Sequence, residues 1–326
     1  MGLANATGLL SDGCTSPQPT VRKVPRIGVF SQTSIPSVLD PFRQGLRELG
    51  YVPGENIAIE YRYTMGDRDP GLARALFAEL VALNPDVIVA GGLPLDLFAT
   101  KTTNAIPIVA FPLDDPVASG LVASLARPGG NVTGFIYYDT GDTHTSAKRL
   151  ELLKQAIPTA LRVASLGGPG SYGPAGTTWW KQTQDAAQAL GLQLVPVVTS
   201  GVDDLERAFD TTLTERADAL IVAPEATLFS YSAKVADVAL RKHLPAMFPE
   251  REYVEAGGLL SYGPSFPDML RRVASYVDRI LKGAKPADLP VERPSKFDFV
   301  INLRTATALG VTIPPSVLSQ ATEVLR

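Results

Sequence analysis

NPDVIVAGG at 84–92 and RADALIVAPE at 216–225 spell the same structural sentence twice. In each, a helix-like stretch ends, an aspartate (Asp86, Asp218) turns the corner, and a short apolar, β-branched run follows. Each run stops at small or breaking residues, Gly91-Gly92 in one half and Pro224 in the other. The next strand also rhymes, as IPIVAFP at 106–112 and LPAMFPE at 244–250. Continuous apolar runs alternating with helical patterns indicate parallel strands buried on both faces. Two such units predict an α/β protein of two Rossmann-like lobes with parallel sheets and a cleft between them.

The remaining chain alternates in the same way. Strands are expected at 26–33, 56–63, 87–92, 106–112 and 132–138 in the first half, then at 162–168, 193–199, 219–225, 244–250, 258–264 and 297–303. Helices are expected at 37–49, 70–83, after Pro94, at 117–126, 145–156, 177–190, 202–215, 228–242 and 267–282. The late strands exceed a simple tandem duplication, which implies that the chain crosses between lobes more than once. The crossings are placed near 134–139, 250–257 and 284–296. Lobe 1 is then 24–135 plus 251–285, lobe 2 is 136–250 plus 286–326, and 1–23 is a leader or disordered segment. A few loop residues at such crossings can absorb the dihedral change of a hinge.

Composition narrows the chemistry. At 326 residues, 45% hydrophobic and 19% charged, the chain is long enough for two domains with real cores. A net charge of −3 without a basic stripe argues against nucleic acid as a partner. Cys14 is the single cysteine, so no intrachain disulfide can form. His144 and His243 belong to no metal-ligand spacing, and no metal or cofactor is expected. No apolar run approaches the ~20 residues of a membrane span. The first 23 residues lack the apolar core of a secretory signal, and Ser11-Asp12-Gly13-Cys14 fits a lipid-anchor site poorly.

In open parallel sheets, ligands sit beyond the carboxyl ends of the strands. That selects Ser31 to Ser34, Gly91 to Pro94, Phe111 to Asp115, the 167–176 loop, Glu225, Phe248 to Glu250, and Tyr262. Free backbone N–H groups and hydroxyls at helix starts suit a carboxylate or phosphate, although the same hydroxyls serve equally as helix caps. Asp114 and Asp115 either receive an ammonium or sugar hydroxyls, or form a turn before Pro116. Gly168-Pro-Gly170-Ser-Tyr-Gly173 matches GxGxxG, but no helix opens at the third glycine and no acidic residue ends the next strand. No nucleophile elbow or phosphate-binding GK[ST] loop is present, so no catalytic residue is assigned.

Longer stretches carry a family resemblance. FRQGLRELGYVPGENIAIEYRY, DDPVASGLVASLARPGGNVTG, KRLELLKQAIP, PAMFPEREYVEAGGLLSYGP and KGAKPADLPVERPSKFDFVINLRTATALGVTIPP, with NPDVIVAGG and IPIVAF, resemble the substrate-binding components of ABC-type importers, in the group that includes tryptophan/tyrosine-type binding proteins. The similarity runs from about Arg26 to the C-terminus. It implies a type I periplasmic binding fold, a non-enzymatic monomer outside the cytoplasm, a small-molecule ligand (an amino acid or aromatic acid) and an ABC permease as partner. On this reading Ser31, Thr33, Gly92 and Leu93 hold a ligand carboxylate, and Asp115 or Glu225 holds an ammonium. Phe111, Tyr172 and Tyr262 pack the ligand side chain. A sensor module of the same fold, or an α/β enzyme using cleft carboxylates, stands as the alternative.

Overall fold

Five parallel strands build the first sheet: β1 (Arg26–Ser31), β2 (Ala58–Tyr63), β3 (Val87–Ala90), β4 (Ile108–Leu113) and β5 (Val132–Ile136), in the order β2-β1-β3-β4-β5. The chain is described here by a computed structural model covering residues 24–31, 36–64, 69–91, 102–113, 116–137, 143–172 and 178–326. The second sheet has seven strands. These are β6 (Arg162–Gly167), β7 (Gln193–Val198), β8 (Ala219–Val222), β9 (Ala246–Phe248), β10 (Leu260–Pro264), β11 (Phe297–Asn302) and β12 (Glu323–Leu325). Their order is β12-β11-β10-β9-β8-β6-β7. Read from the other edge, its first five strands repeat the order of the first sheet. Among the described strands only β10 and β11 pair antiparallel.

The repeated aspartates explain the repeated order. The Asp86 carboxylate accepts the Arg26 N–H at 2.7 Å, and Asp218 accepts the N–H groups of Leu161 and Arg162 at 2.8 Å. Each aspartate thus ties the start of a central strand to the start of its neighbour. The residue two positions earlier takes the left-handed backbone in both halves, Asn84 at φ 48° and Arg216 at φ 54°. β3 and β8 are wholly buried, as strands covered by helices on both faces must be.

The helix Phe266–Leu281 leaves the seven-stranded layer and packs on the five-stranded one. Met269, Leu270, Val273, Ala274, Val277 and Ile280 join Ile27, Val29, Phe42 and Leu46 in one core. Close approach requires glycine opposite: a Cβ on Gly45 would stand 2.8 Å from that of Ala274. The extended segment after this helix returns to the same layer, where Glu292 bridges Phe135 and the Thr133 hydroxyl donates to the Leu289 carbonyl at 2.7 Å.

Several sequence expectations change. Residues 116–126 form turns rather than a helix, because Gly120 adopts φ 72° and the Val122 N–H reaches back to the Pro116 carbonyl. The helix expected over 228–242 breaks at Tyr231 into Ala226–Ser230 and Ser232–Arg241. Residues 251–255 are a short helix rather than a crossing, and β10 pairs with β9 in the second sheet. The chain therefore changes layer between Pro264 and Phe266. The edge strand β12 has no counterpart among the expected strands, being three exposed or half-buried residues with no apolar run.

Candidate functional site

The strand order reverses between β1 and β3 in one sheet and between β6 and β8 in the other, so each layer has a switch point of the kind that receives ligands in open parallel sheets. At the first stand Ser31 and Gly91. Ser31 is half-buried, and its carbonyl accepts the Thr64 N–H at 3.1 Å. Gly91 must lack a side chain, since a Cβ would come within 2.6 Å of the Phe111 carbonyl. Thr33, Gly92, Leu93 and Asp115 lie outside the described residues.

At the second switch point a carboxylate and a loop are joined. Both oxygens of Glu225 accept the Gly168 N–H, at 2.9 and 3.1 Å, and Oε1 also accepts the Ser171 hydroxyl. The loop after β6 is thereby tied to the end of β8. Tyr172 follows directly. Its hydroxyl donates to the Ser165 carbonyl at 2.5 Å, and its ring meets Trp180 edge-on at 4.8 Å. Burial holds that hydroxyl well above the usual phenol range, so it serves as a neutral donor. Its polar tip is thus turned inward to β6.

Sequence reasoning grouped Phe111 and Tyr262 with these residues, and the structure gives each other neighbours. Phe111 is 4% exposed and packs on Phe266 at 4.9 Å and Tyr137 at 5.8 Å. Phe266 continues to Phe229 at 6.4 Å, and Phe229 to Tyr253 at 6.5 Å. One column of rings therefore runs from the first layer to the second. Such pairs contribute about 1 kcal/mol each beyond their buried area. The Tyr262 ring stacks on Phe297 at 5.7 Å and belongs to the opposite face of the second sheet, with Leu150 and Phe299.

Beside this column lies a buried polar cluster that sequence reasoning did not assemble. Arg149, on the helix Thr143–Ala156, is 2% exposed. Its Nε donates to the Tyr262 carbonyl at 2.7 Å and its Nη2 to the Pro249 carbonyl at 3.4 Å, bracing the middle of β10 against the end of β9. Burial lowers its pKa to about 10. Gly263 makes the approach possible, because any Cβ there would strike the Pro249 carbonyl. Glu250, 2% exposed, follows Pro249. Burial first, then the nearby charge of Glu252, hold its carboxyl well above the usual range. Glu252 itself is pushed up to about 7, chiefly by burial. The signal for Arg149 was an arginine in step with Ser146, Leu150 and Leu153 on a buried helical face. For Glu250 it was an acid closing a buried strand.

Comparison with known proteins follows the same span. The model of a family described as ABC transporter substrate binding protein matches residues 26–325. A tyrosine-binding protein of Clostridioides difficile (strain R20291) is 27% identical over 294 residues, 89% of this chain and 82% of the relative. Among solved structures, a conserved domain protein from Vibrio cholerae superposes with a TM-score of 0.79 at 29% identity, covering 93% of this chain and 100% of that one. An ABC domain from Streptococcus pneumoniae in complex with L-Trp gives 0.78 at 27% identity, covering 92% and 99%.

Proposed function

Because the chain belongs to the ABC transporter substrate-binding protein family, we propose that it is an extracytoplasmic receptor that closes two lobes on an amino acid with an aromatic side chain and delivers it to an ABC permease. Lobe 1 comprises 24–137 and 266–292, and lobe 2 comprises 143–264 and 297–326. Among the described residues the chain changes lobe after Tyr137, at 264–266 and at 292–297. The observation that carries the reading is that two sheets share one strand order over five strands, each with a switch point, and that a column of aromatic rings joins them. The relatives named for tyrosine and bound to L-Trp supply the ligand class.

In this reading Ser31, with Thr33, Gly92 and Leu93 beyond the described residues, receives the ligand carboxylate. Tyr172 offers a ring face to the ligand side chain, and Glu225 holds the Tyr172 loop in place. Phe111 and Tyr262 support the site from behind. No helix among the described residues is long and apolar enough to cross a membrane. The regulator and enzyme alternatives gain no support from a family of transport receptors.

A thermal-shift screen of the amino acids, sugars and deaminated aromatic acids tests the reading. An aromatic amino acid at about 100 times its dissociation constant stabilises the closed form by ~2.7 kcal/mol. A screen in which sugars stabilise and amino acids do not would refute it.

A further inference from the structure

Glu250 is the one residue among the described chain whose two carboxylate oxygens are both fully buried and without a hydrogen-bond partner. An ionised carboxylate left in that state costs several kcal/mol, so such groups are neutralised or receive a cation. Its position is informative. It follows β9, the strand beside β8, at the same end of the second sheet as Glu225. Its field reaches Tyr137, which comes off the end of β5 in the other sheet, and Tyr253, which also feels Glu225. The Tyr253 hydroxyl is itself buried and unpartnered. A carboxylate and a hydroxyl, both unsatisfied, therefore stand at the ligand-receiving end of lobe 2 beside the hinge.

The other groups nearby do not complete Glu250. The Arg149 guanidinium donates to the Tyr262 and Pro249 carbonyls. Glu252 adds negative charge rather than removing it, and its Oε2 is buried without a hydrogen-bond partner. Tyr137 is a neutral phenol, its pKa raised chiefly by burial and then by Glu250. Glu225, by contrast, already accepts the Gly168 N–H and the Ser171 hydroxyl. The strand-end acid left without a donor is Glu250.

We infer that Glu250, with the Tyr253 hydroxyl beside it, is the acceptor for the ammonium group of a zwitterionic amino-acid ligand, and that Glu225 is not. The inference rests on the amino-acid reading proposed above and refines it. Uptake of an ammonium ion ionises the Glu250 carboxyl, so its proton leaves to solvent while the ligand keeps all three ammonium protons. The bound pair is then a charge-assisted hydrogen bond of the strong class.

Calorimetry on the full chain tests this with L-tryptophan, L-tyrosine and their deaminated analogues indole-3-propionate and 3-(4-hydroxyphenyl)propionate. The wild type is expected to prefer the amino acid at least tenfold. Glu250→Gln, a near-isosteric change that removes the buried acid, should lose at least tenfold affinity for the amino acid and leave the analogue unchanged. Heats measured for the wild type in buffers of different ionisation enthalpy should report proton release, a readout that needs no variant to fold. Retention of amino-acid affinity in Glu250→Gln overturns the inference alone. So does equal loss for amino acid and analogue, which would make Glu250 a hinge support, and so does binding without proton release. If the wild type binds the analogues but neither amino acid, the amino-acid reading and this inference fall together.

Discussion

Glu225 grips the Gly168 N–H with both carboxylate oxygens, at 2.9 and 3.1 Å, and so fastens the loop after β6 to the end of β8. The two residues are 57 positions apart, and their meeting is a product of the strand order rather than of local sequence. A Cβ on Gly168 would lie 2.7 Å from Glu225 Oε2, so the glycine is what allows the carboxylate to lie flat against the backbone. The consequence is a loop held in place before any ligand arrives, with Tyr172 at its end.

Replacing Glu225 by alanine removes the acceptor for one N–H and one hydroxyl. The expected loss is about 1–2 kcal/mol of stability, since charge-assisted bonds to a half-buried group are involved. Ligand affinity should fall several-fold through disorder of the Tyr172 loop. Urea unfolding and calorimetry on the same variant measure both. An unchanged midpoint would show that the tether does not contribute to stability.

Arg149→Met should be more damaging. It removes a buried guanidinium and leaves the Tyr262 carbonyl without the 2.7 Å donor that braces β10. A loss of about 3 kcal/mol is expected from the unsatisfied carbonyls and altered packing. Arg149→Lys should rescue only part of it, because one ammonium cannot reproduce the forked geometry. Denaturant midpoints of the two variants decide the order.

Gly263→Ala introduces a methyl group against the Pro249 carbonyl in a strand interior. Overpacking of this kind costs about 1–3 kcal/mol. The shift also moves an acceptor of Arg149. Gly257→Ala offers a contrast, since φ 110° there strains the backbone although no atom stands within 4 Å. Thermal melts should show both variants destabilised, with the Arg149 coupling present for Gly263 alone in a double-mutant cycle.

The buried acids make stability pH-dependent in a definite direction. Glu252 titrates at about 7 in the folded protein against an ordinary 4.5, and Glu250 is raised as well. The folded state therefore holds more protons than the unfolded chain above pH 4.5, and the slope of stability with pH is negative there. The contribution is complete below pH 4.5 and is lost as pH rises through about 7. Ligand-free protein should accordingly melt at a higher temperature at pH 5 than at pH 8. Glu250→Gln and Glu252→Gln should each flatten that difference, and an unchanged slope in both would contradict it.

Ser31→Ala probes the other lobe. Loss of one charge-assisted hydrogen bond to a ligand carboxylate costs about 2 kcal/mol, or roughly thirtyfold in affinity. Dissociation constants for an aromatic amino acid and its amine, which lacks the carboxylate, separate the outcomes: only the former should weaken. Equal affinity of wild type and variant for the amino acid would remove Ser31 from the carboxylate site.

Much of the architecture was legible because burial on both faces leaves an unmistakable mark. VIVA at 87–90 and ALIV at 219–222 read directly as central strands, and Asp86 and Asp218 as their leading corners. The 117–126 segment misled because its apolar residues mimic a helical face, while Gly120 sets a turn. The crossing expected at 250–257 was displaced to 264–266 because strand membership depends on pairing partners. GLLSYGP carries no mark of which sheet it will join. Glu225 was legible as a strand-end acid, yet its partners Gly168 and Ser171 were not.

By itself the sequence determined the α/β class, the doubling of the lobe and the family, since periodicity and long ordered similarity are local properties summed along the chain. Only the tertiary structure decided which acid is already satisfied and which is not. Glu225 and Glu250 look alike as residues closing buried strands. Gly168 reaches the first and nothing among the described residues reaches the second. That difference is made by distance and burial, which are properties of the folded chain alone.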